Sequence, residues 1–342
     1  MKMNITLLGD IFPGNLHYTV GDGVANKFPK RDYSEWCRKI SVFTKGADVT
    51  ICNLEAPLLN YKDNPRNGMF MGELRFADFL NESNIKLVNI ANNHIYEHGK
   101  YGFECTVNKL KGVGINYIGD KDKNVFFYSK NKIRVGFAGF NNIHNQSGIL
   151  PYSKINKNQM LKKIKLFEKE KCDYKIFSIH WGDEFIQRPS LEQIKLGKFL
   201  IDNGVDIIHG HHQHVVQSIQ EYKKGLIFYS LGNFIFDMIW QKTIRQGITV
   251  NIKLRKDHKI NYEIITLFIN DNYLPERCES LLNNTKKKVK FFVGFDYENI
   301  YNKELKLILL KQRIIMKIFL LKKLINGKEI PLKYIYLSKK NK

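Results

Sequence analysis

The 342-residue chain has no run of 18 or more uncharged apolar residues, so no stretch of it reads as an ordinary membrane span. Its five cysteines, Cys37, Cys52, Cys105, Cys172 and Cys278, include no CxxC pair, and their odd number argues against a disulfide framework. They read as reduced core thiols. The apolar part of Met1–Asp10 is too short for a secretory signal and reads as a first strand, so a cytoplasmic location is expected. No internal repeat is visible. Acidic residues are scarce, 33 Asp and Glu against 55 Lys and Arg, and the resulting formal charge of +22 is unevenly spread. Residues 303–342 hold twelve Lys and Arg against Glu304 and Glu329 alone, a surplus of ten. Nucleic-acid binders interleave basic and aromatic residues on one face. Here the excess sits in a tail, so nucleic acid is not expected as a partner.

What is present is ample apolar material, 43% of the chain, enough for a large globular core. The chain is organised around Ile207-Ile208-His209-Gly210-His211-His212-Gln213-His214-Val215-Val216, where four of ten histidines fall within six residues. Flanking β-formers predict a strand, a turn at Gly210 and a second strand. On an extended backbone His212 and His214 would share a face and could reach one metal ion, because the strand period is two. A His-rich turn can also be plain polar surface, so the other strand ends decide.

Those ends repeat one theme. Ile5–Leu8 reads as a strand delivering Gly9-Asp10. Asp48–Cys52 delivers Asn53-Leu54-Glu55, stopped by Pro57, and Leu87–Ala91 delivers Asn92-Asn93-His94. Tyr174–Ile179 delivers His180-Trp181-Gly182-Asp183-Glu184, and Gly225–Tyr229 delivers Ser230-Leu231-Gly232-Asn233-Phe234. Helical periodicity falls between them, at Tyr33–Lys45, Phe76–Asn84, Gly99–Lys111, Lys157–Lys171 and Leu191–Asn203. Gly247–Leu254 and Lys259–Leu267 read as a closing hairpin, and Asn60–Gly72 as a loop. His17 and His144 lack partners in sequence and read as surface or pocket residues. Alternating strands and helices give an α/β class. Asp10, Glu55, Asn93-His94, His180 and His212/His214 supply oxygen and imidazole ligands enough for two divalent ions bridged by one carboxylate. Two such ions roughly 3.5–4 Å apart clamp a phosphoryl group and ionise a water.

In that order these motifs resemble the CapA family of poly-γ-glutamate and capsule synthesis proteins, within the calcineurin-like metallophosphoesterases. The matching residues are Gly9-Asp10, Asn53-Leu54-Glu55, Ala91-Asn92-Asn93-His94 with Gly99, His180–Glu184 with Pro189, Gly210–Val215 and Ser230–Phe234. The resemblance covers about residues 4–270. It implies a four-layer α/β/β/α sandwich over residues 1–270; residues 271–342 lie beyond it and read as a basic helical extension. It further implies Asp10, Glu55, Asn93, His180, His212 and His214 as ligands of two divalent ions (Mn, Fe or Zn), Glu55 as the bridge and His94 as the catalytic group. His211 is a second candidate for the first imidazole of its cluster, with His212 preferred on the same-face argument. Glu97 stands where the family usually has Asp, Gln213 where Pro is common, and Asn15 where a basic residue is frequent.

The function implied is metal-dependent hydrolysis of phosphoester type, in synthesis or release of an anionic surface polymer. A non-hydrolytic accessory of a polymer-synthesis complex is the alternative. An anionic polymer or phosphorylated substrate and polymer-synthesis proteins are the expected partners, and the substrate-binding residues stay unassigned. Asn93 and His94, as neighbours on an extended segment, would point apart, one to the ions and one to the substrate. In the tail, Leu305, Ile308, Leu309, Ile315, Met316, Phe319 and Leu320 form one apolar helical face. Such a helix either docks on the core or lies at the inner face of the membrane.

Overall fold

The computed structural model describes residues 1–60, 69–143, 150–279 and 296–325. His144 and residues 326–342 of the tail lie outside them. The larger sheet is built on β1 (Lys2–Ile11), whose run of apolar residues is buried on both faces. On one side follow the parallel strands β2 (Val49–Leu54), β5 (Leu87–Asn89) and β6 (Asn116–Ile118). On the other, β14 (Gln246–Arg255), β15 (Ile260–Ile269) and β16 (Pro275–Arg277) form an antiparallel meander. The expected hairpin is its core, and β16 carries the sheet past residue 270. The short β13 (Asn233–Ile235) pairs with the end of β1, while β3 (Leu58–Leu59) and β4 (Gly72–Glu73) form a two-stranded patch.

The second sheet has the order β11 (Ile219–Tyr222), β12 (Gly225–Phe228), β10 (Ile207–His211), β9 (Tyr174–His180), β8 (Ile133–Asn141), β7 (Phe126–Lys130). Its four central strands are parallel, and its two edges are antiparallel. Strand period decides which core each side chain enters. Ile5 and Leu7 of β1 meet Val135, Phe137, Ile176, Ile207 and Phe228 in the core shared by the two sheets. Leu8, one residue on, enters a second core with Val88 of β5. There it meets Ile40 of α2 (Ser34–Thr44), Phe79 of α3 (Phe76–Glu82) and Leu110 of α4 (Gly99–Gly112). The far side of the second sheet forms a third core, where Phe177 and Ile208 pack against α5 (Lys157–Lys169) and α6 (Leu191–Asp202). Asn156 caps α5, and a Ser190–Gln193 capping box starts α6. Two single-turn helices complete the set, α1 (Val24–Lys27) and α7 (Lys242–Arg245).

One expectation at the organising stretch is overturned. The chain does not turn at Gly210 but continues as β10 through His211, and no second strand follows directly. Gly210 is needed for a close approach: a Cβ there would lie 2.0 Å from the Tyr229 carbonyl oxygen, and one on Gly9 2.1 Å from that of Gly232. The bend comes after His211, at His212 (φ 101°) and His214 (φ 57°), both in the left-handed region that non-glycine residues rarely occupy.

A long C-terminal helix, Tyr297–Ile325, lies along the protein. Tyr297, Tyr301, Leu305 and Ile308 pack into the third core, and Met316 and Leu320 against the second. The apolar face read from the periodicity is thus largely the docked face. No described helix is long and apolar enough to cross a membrane.

Candidate metal centre

Strand register gathers the site. Asp10 on β1 sits level with Asn53 on β2 and Asn233 on β13, while His180 on β9 sits level with His211 on β10. The ends of these interior strands therefore meet around a small volume carrying both acids and the imidazoles. Asp10, Glu55, Asn93, His180, His211 and His214 are at most 1% exposed, and His212 is 5% exposed.

Two triads of donor atoms, each within 4.8 Å, share one carboxylate: Asp10, Glu55 and His180, and Glu55, His212 and His214. Glu55 Oε1 lies 3.7 Å from His180 Nε2 and 3.9 Å from His214 Nε2. Asn93 joins through Oδ1, 2.8 Å from His180 Nε2. All six expected ligands are therefore brought together. The same-face argument for His212 and His214 nevertheless fails, because the pair sits on the left-handed bend and not on a strand. Their rings, 6.0 Å apart, converge on Glu55 through that bend. His211 points elsewhere: Nδ1 is 2.9 Å from Asp10 Oδ1 and Nε2 is 3.2 Å from Ser178 Oγ, so it supports Asp10 from behind.

The electrostatics are those of a cavity short of positive charge. Burial pushes the Glu55 carboxyl well above the usual range, reinforced by the neighbouring Asp10 and Glu184 charges. Burial works against ionisation of Asp10 too. There the hydrogen bond and charge of His211, with His214 and Asn53, outweigh it and lower the value. Burial and mutual repulsion hold His180 well below its usual range; burial likewise lowers His212, to about 4. Neutral imidazoles beside a destabilised carboxylate are what a divalent cation binds. Two atoms test the fit. Glu55 Oε1 and His212 Nδ1 are buried and have no hydrogen-bond partner among the described residues. Unsatisfied buried atoms are rare because each costs about 1–3 kcal/mol. Both atoms belong to residues of the triads, so the residues suit a cation there.

Residues the sequence reading passed over hold the set in place. Asn53 Nδ2 lies 3.0 Å from Asp10 Oδ1 and 3.2 Å from Glu55 Oε2, spacing the two acids. Asn233 Oδ1 accepts from His214 Nδ1 at 2.9 Å, which leaves His214 Nε2 as the lone-pair nitrogen on the Glu55 side. Asn92 Oδ1 accepts from the backbone N–H groups of His94 and Ile95 and shapes the loop carrying the expected catalytic group. Asn53, Asn92 and Asn233 all lie inside the quoted motifs, so position was a signal although side-chain direction was not.

His94 differs from the ligand candidates in being reachable, its side chain 14% exposed. Its Nδ1 is 2.9 Å from Glu97 Oε1, and its ring stacks on Phe70 at 4.9 Å. Asn93 Nδ2 is 3.0 Å from His94 Nε2, so the two side chains meet and do not point apart; the segment is a turn, not an extended strand. Departures from the family pattern have local explanations. Glu97 makes the carboxylate contact to His94. Gln213 is buried and donates to the Trp181 carbonyl, and the buried Asn15 donates through Nδ2 to Asn26 Oδ1 at 2.8 Å.

Residues 4–238 match the family model described as bacterial capsule synthesis protein PGA_cap. The chain belongs to that family. Its PGA_cap match ends three residues past Ile235, so it includes every candidate ligand. Among curated relatives, the PGA_cap chain is 32% identical over 303 residues to the capsule biosynthesis protein CapA of Bacillus anthracis. That alignment spans 83% of this chain and 72% of the relative. It is 27% identical to the PGA biosynthesis protein CapA of Bacillus subtilis, over 70% and 67% of the two chains. The expected CapA resemblance therefore holds. Among solved structures, a novel phosphatase from Mycoplasma pneumoniae superposes with a TM-score of 0.50 at 16% identity, over 83% of this chain and 97% of that one, a likeness of fold.

Proposed function

We propose that this PGA_cap protein is a metal-dependent hydrolase of phosphoester type, acting in the synthesis or release of a capsular or poly-γ-glutamate-type polymer. The observation that carries the reading is the pair of donor triads sharing Glu55, with the reachable His94–Glu97 pair beside them. The names of the Bacillus relatives support the biological setting. Asp10, Glu55, Asn93, His180, His212 and His214 would hold two divalent ions, with Glu55 serving both. Such ions supply charge for a phosphoryl oxygen and a water nucleophile at neutral pH. The chain's own contribution is placement. Asn53 and His211 fix Asp10, Asn233 fixes the tautomer of His214, and His94, held by Glu97, would give a proton to a leaving oxygen once protonated.

The test joins metal analysis of the purified protein to a screen of phosphomonoesters, phosphodiesters and γ-glutamyl peptides. Two equivalents of Mn, Fe or Zn are expected, with turnover that vanishes on chelation and in Glu55→Gln. Full metal content in both Glu55→Gln and His212→Ala would overturn the ligand assignment. A second reading, a non-hydrolytic accessory protein, fits the name of a Mycobacterium tuberculosis relative, "probable polyglutamine synthesis accessory protein". Stoichiometric metal with no turnover on any of these substrates would favour it.

A further inference from the structure

The docked face of the C-terminal helix leaves a second apolar stripe unaccounted for. Leu307, Leu310, Ile314, Ile318 and Leu321 recur at spacings of three and four residues and are 48–67% exposed. They lie opposite Tyr301, Leu305, Gln312 and Met316, which face the protein. A stripe this apolar, in water, on a helix already anchored by its other face, signals a surface that something covers.

The charges around it say what. Lys303, Lys306, Lys311, Arg313, Lys317 and Lys322 are exposed and rim the stripe, and none of them is in an ion pair among the described residues. The helix's acids do not offset them: Glu304 is turned to Arg188 at 2.7 Å, and Glu298 lies in the first turn. A second copy of the chain would bring this basic rim against itself, which like-charge repulsion opposes. An apolar strip between rows of cations matches acyl chains beneath anionic headgroups. We infer that the outer face of Tyr297–Ile325 rests on an anionic lipid surface, lying in its plane. The inner face is fixed to Asp183, three residues past His180, and to Trp240, whose ring lies 6.3 Å from Phe185, itself 6.1 Å from the His214 ring. Tyr301 Oη donates to Asp183 Oδ2 at 2.8 Å, and Trp240 Nε1 to Gln312 Oε1 at 3.0 Å. The inference concerns surface and charge alone, and it holds or falls independently of hydrolysis at the site.

The test is co-sedimentation of the full chain with vesicles of phosphatidylcholine alone, or of phosphatidylcholine mixed with phosphatidylglycerol. Binding is expected only to the mixed vesicles, strongest at low salt and at least tenfold weaker at 0.5 M salt, a strength chosen to shorten electrostatic reach. The triple variant Leu310→Ser, Ile314→Ser, Ile318→Ser changes only exposed positions, and its binding should fall at least tenfold with an unchanged melting temperature. A second variant, Ile314→Trp, should shift its emission to the blue on addition of mixed vesicles. Absence of vesicle binding, equal binding by the triple variant, or a wild-type dimer that the triple variant abolishes would each overturn the inference.

Discussion

At the level of single residues, access to water separates the two kinds of group at the metal centre. The ligand candidates are buried, whereas His94 is reachable and held by Glu97. His94→Ala should therefore keep its metal by elemental analysis and lose phosphoester turnover by about 100-fold or more, the usual worth of a general acid. Loss of metal and turnover together would assign it a structural role. Asn233→Ala removes the acceptor that fixes His214, and metal affinity should fall by roughly 10–100-fold in a competitive chelator titration. The candidate ligands were legible as residue types at strand ends. Their support was not, because Asn53, Asn92 and Asn233 look like turn residues until register brings them to the acids and His214. Nor could spacing foretell the left-handed bend at His212 and His214, since strand periodicity assumes an extended backbone.

Among the elements, most strands and helices matched the apolar periodicity within two or three residues, β14 and β15 included. The error fell at Gly210, where a glycine that usually signals a turn instead lets β10 pass close to Tyr229. Gly210→Ala should cost about 3 kcal/mol or more in urea unfolding, because backbone meets the new Cβ and cannot step aside. The C-terminal helix was legible as amphipathic, but which of its faces would dock depended on partners far away in sequence. Gln312→Ala would remove the acceptor of the Trp240 indole N–H. A stability loss of about 1 kcal/mol is expected, with a change in tryptophan fluorescence that reports the loop beside the site.

For the molecule as a whole, buried imidazoles dominate the response to acid. His180, His209 and His212 all have values lowered by burial, so the unfolded chain takes up protons that the folded one refuses. Their contribution to stability is present above pH 6.5 and is lost as pH falls towards about 4, on the order of 3 kcal/mol for His212 alone. Glu55, with a raised value, acts oppositely in the metal-free protein: its contribution is present below pH 4.5 and is lost as pH rises through the folded value. Melting of the metal-free protein followed by circular dichroism should show a falling midpoint from pH 6.5 to pH 4, three imidazoles outweighing one carboxyl. A flat profile over that interval would contradict the burial of the histidines.

The central position of β1 also sets a timetable for synthesis. Asp10 contacts His211, 201 residues on, and its strand pairs with β14 from Leu7↔Val250 to Lys2↔Arg255. A chain translated only as far as residue 200 lacks His211, His212 and His214. The donor set of the candidate centre is therefore incomplete until His214 is made, and until β14 follows, β1 keeps one unpaired edge of the kind that chaperones bind.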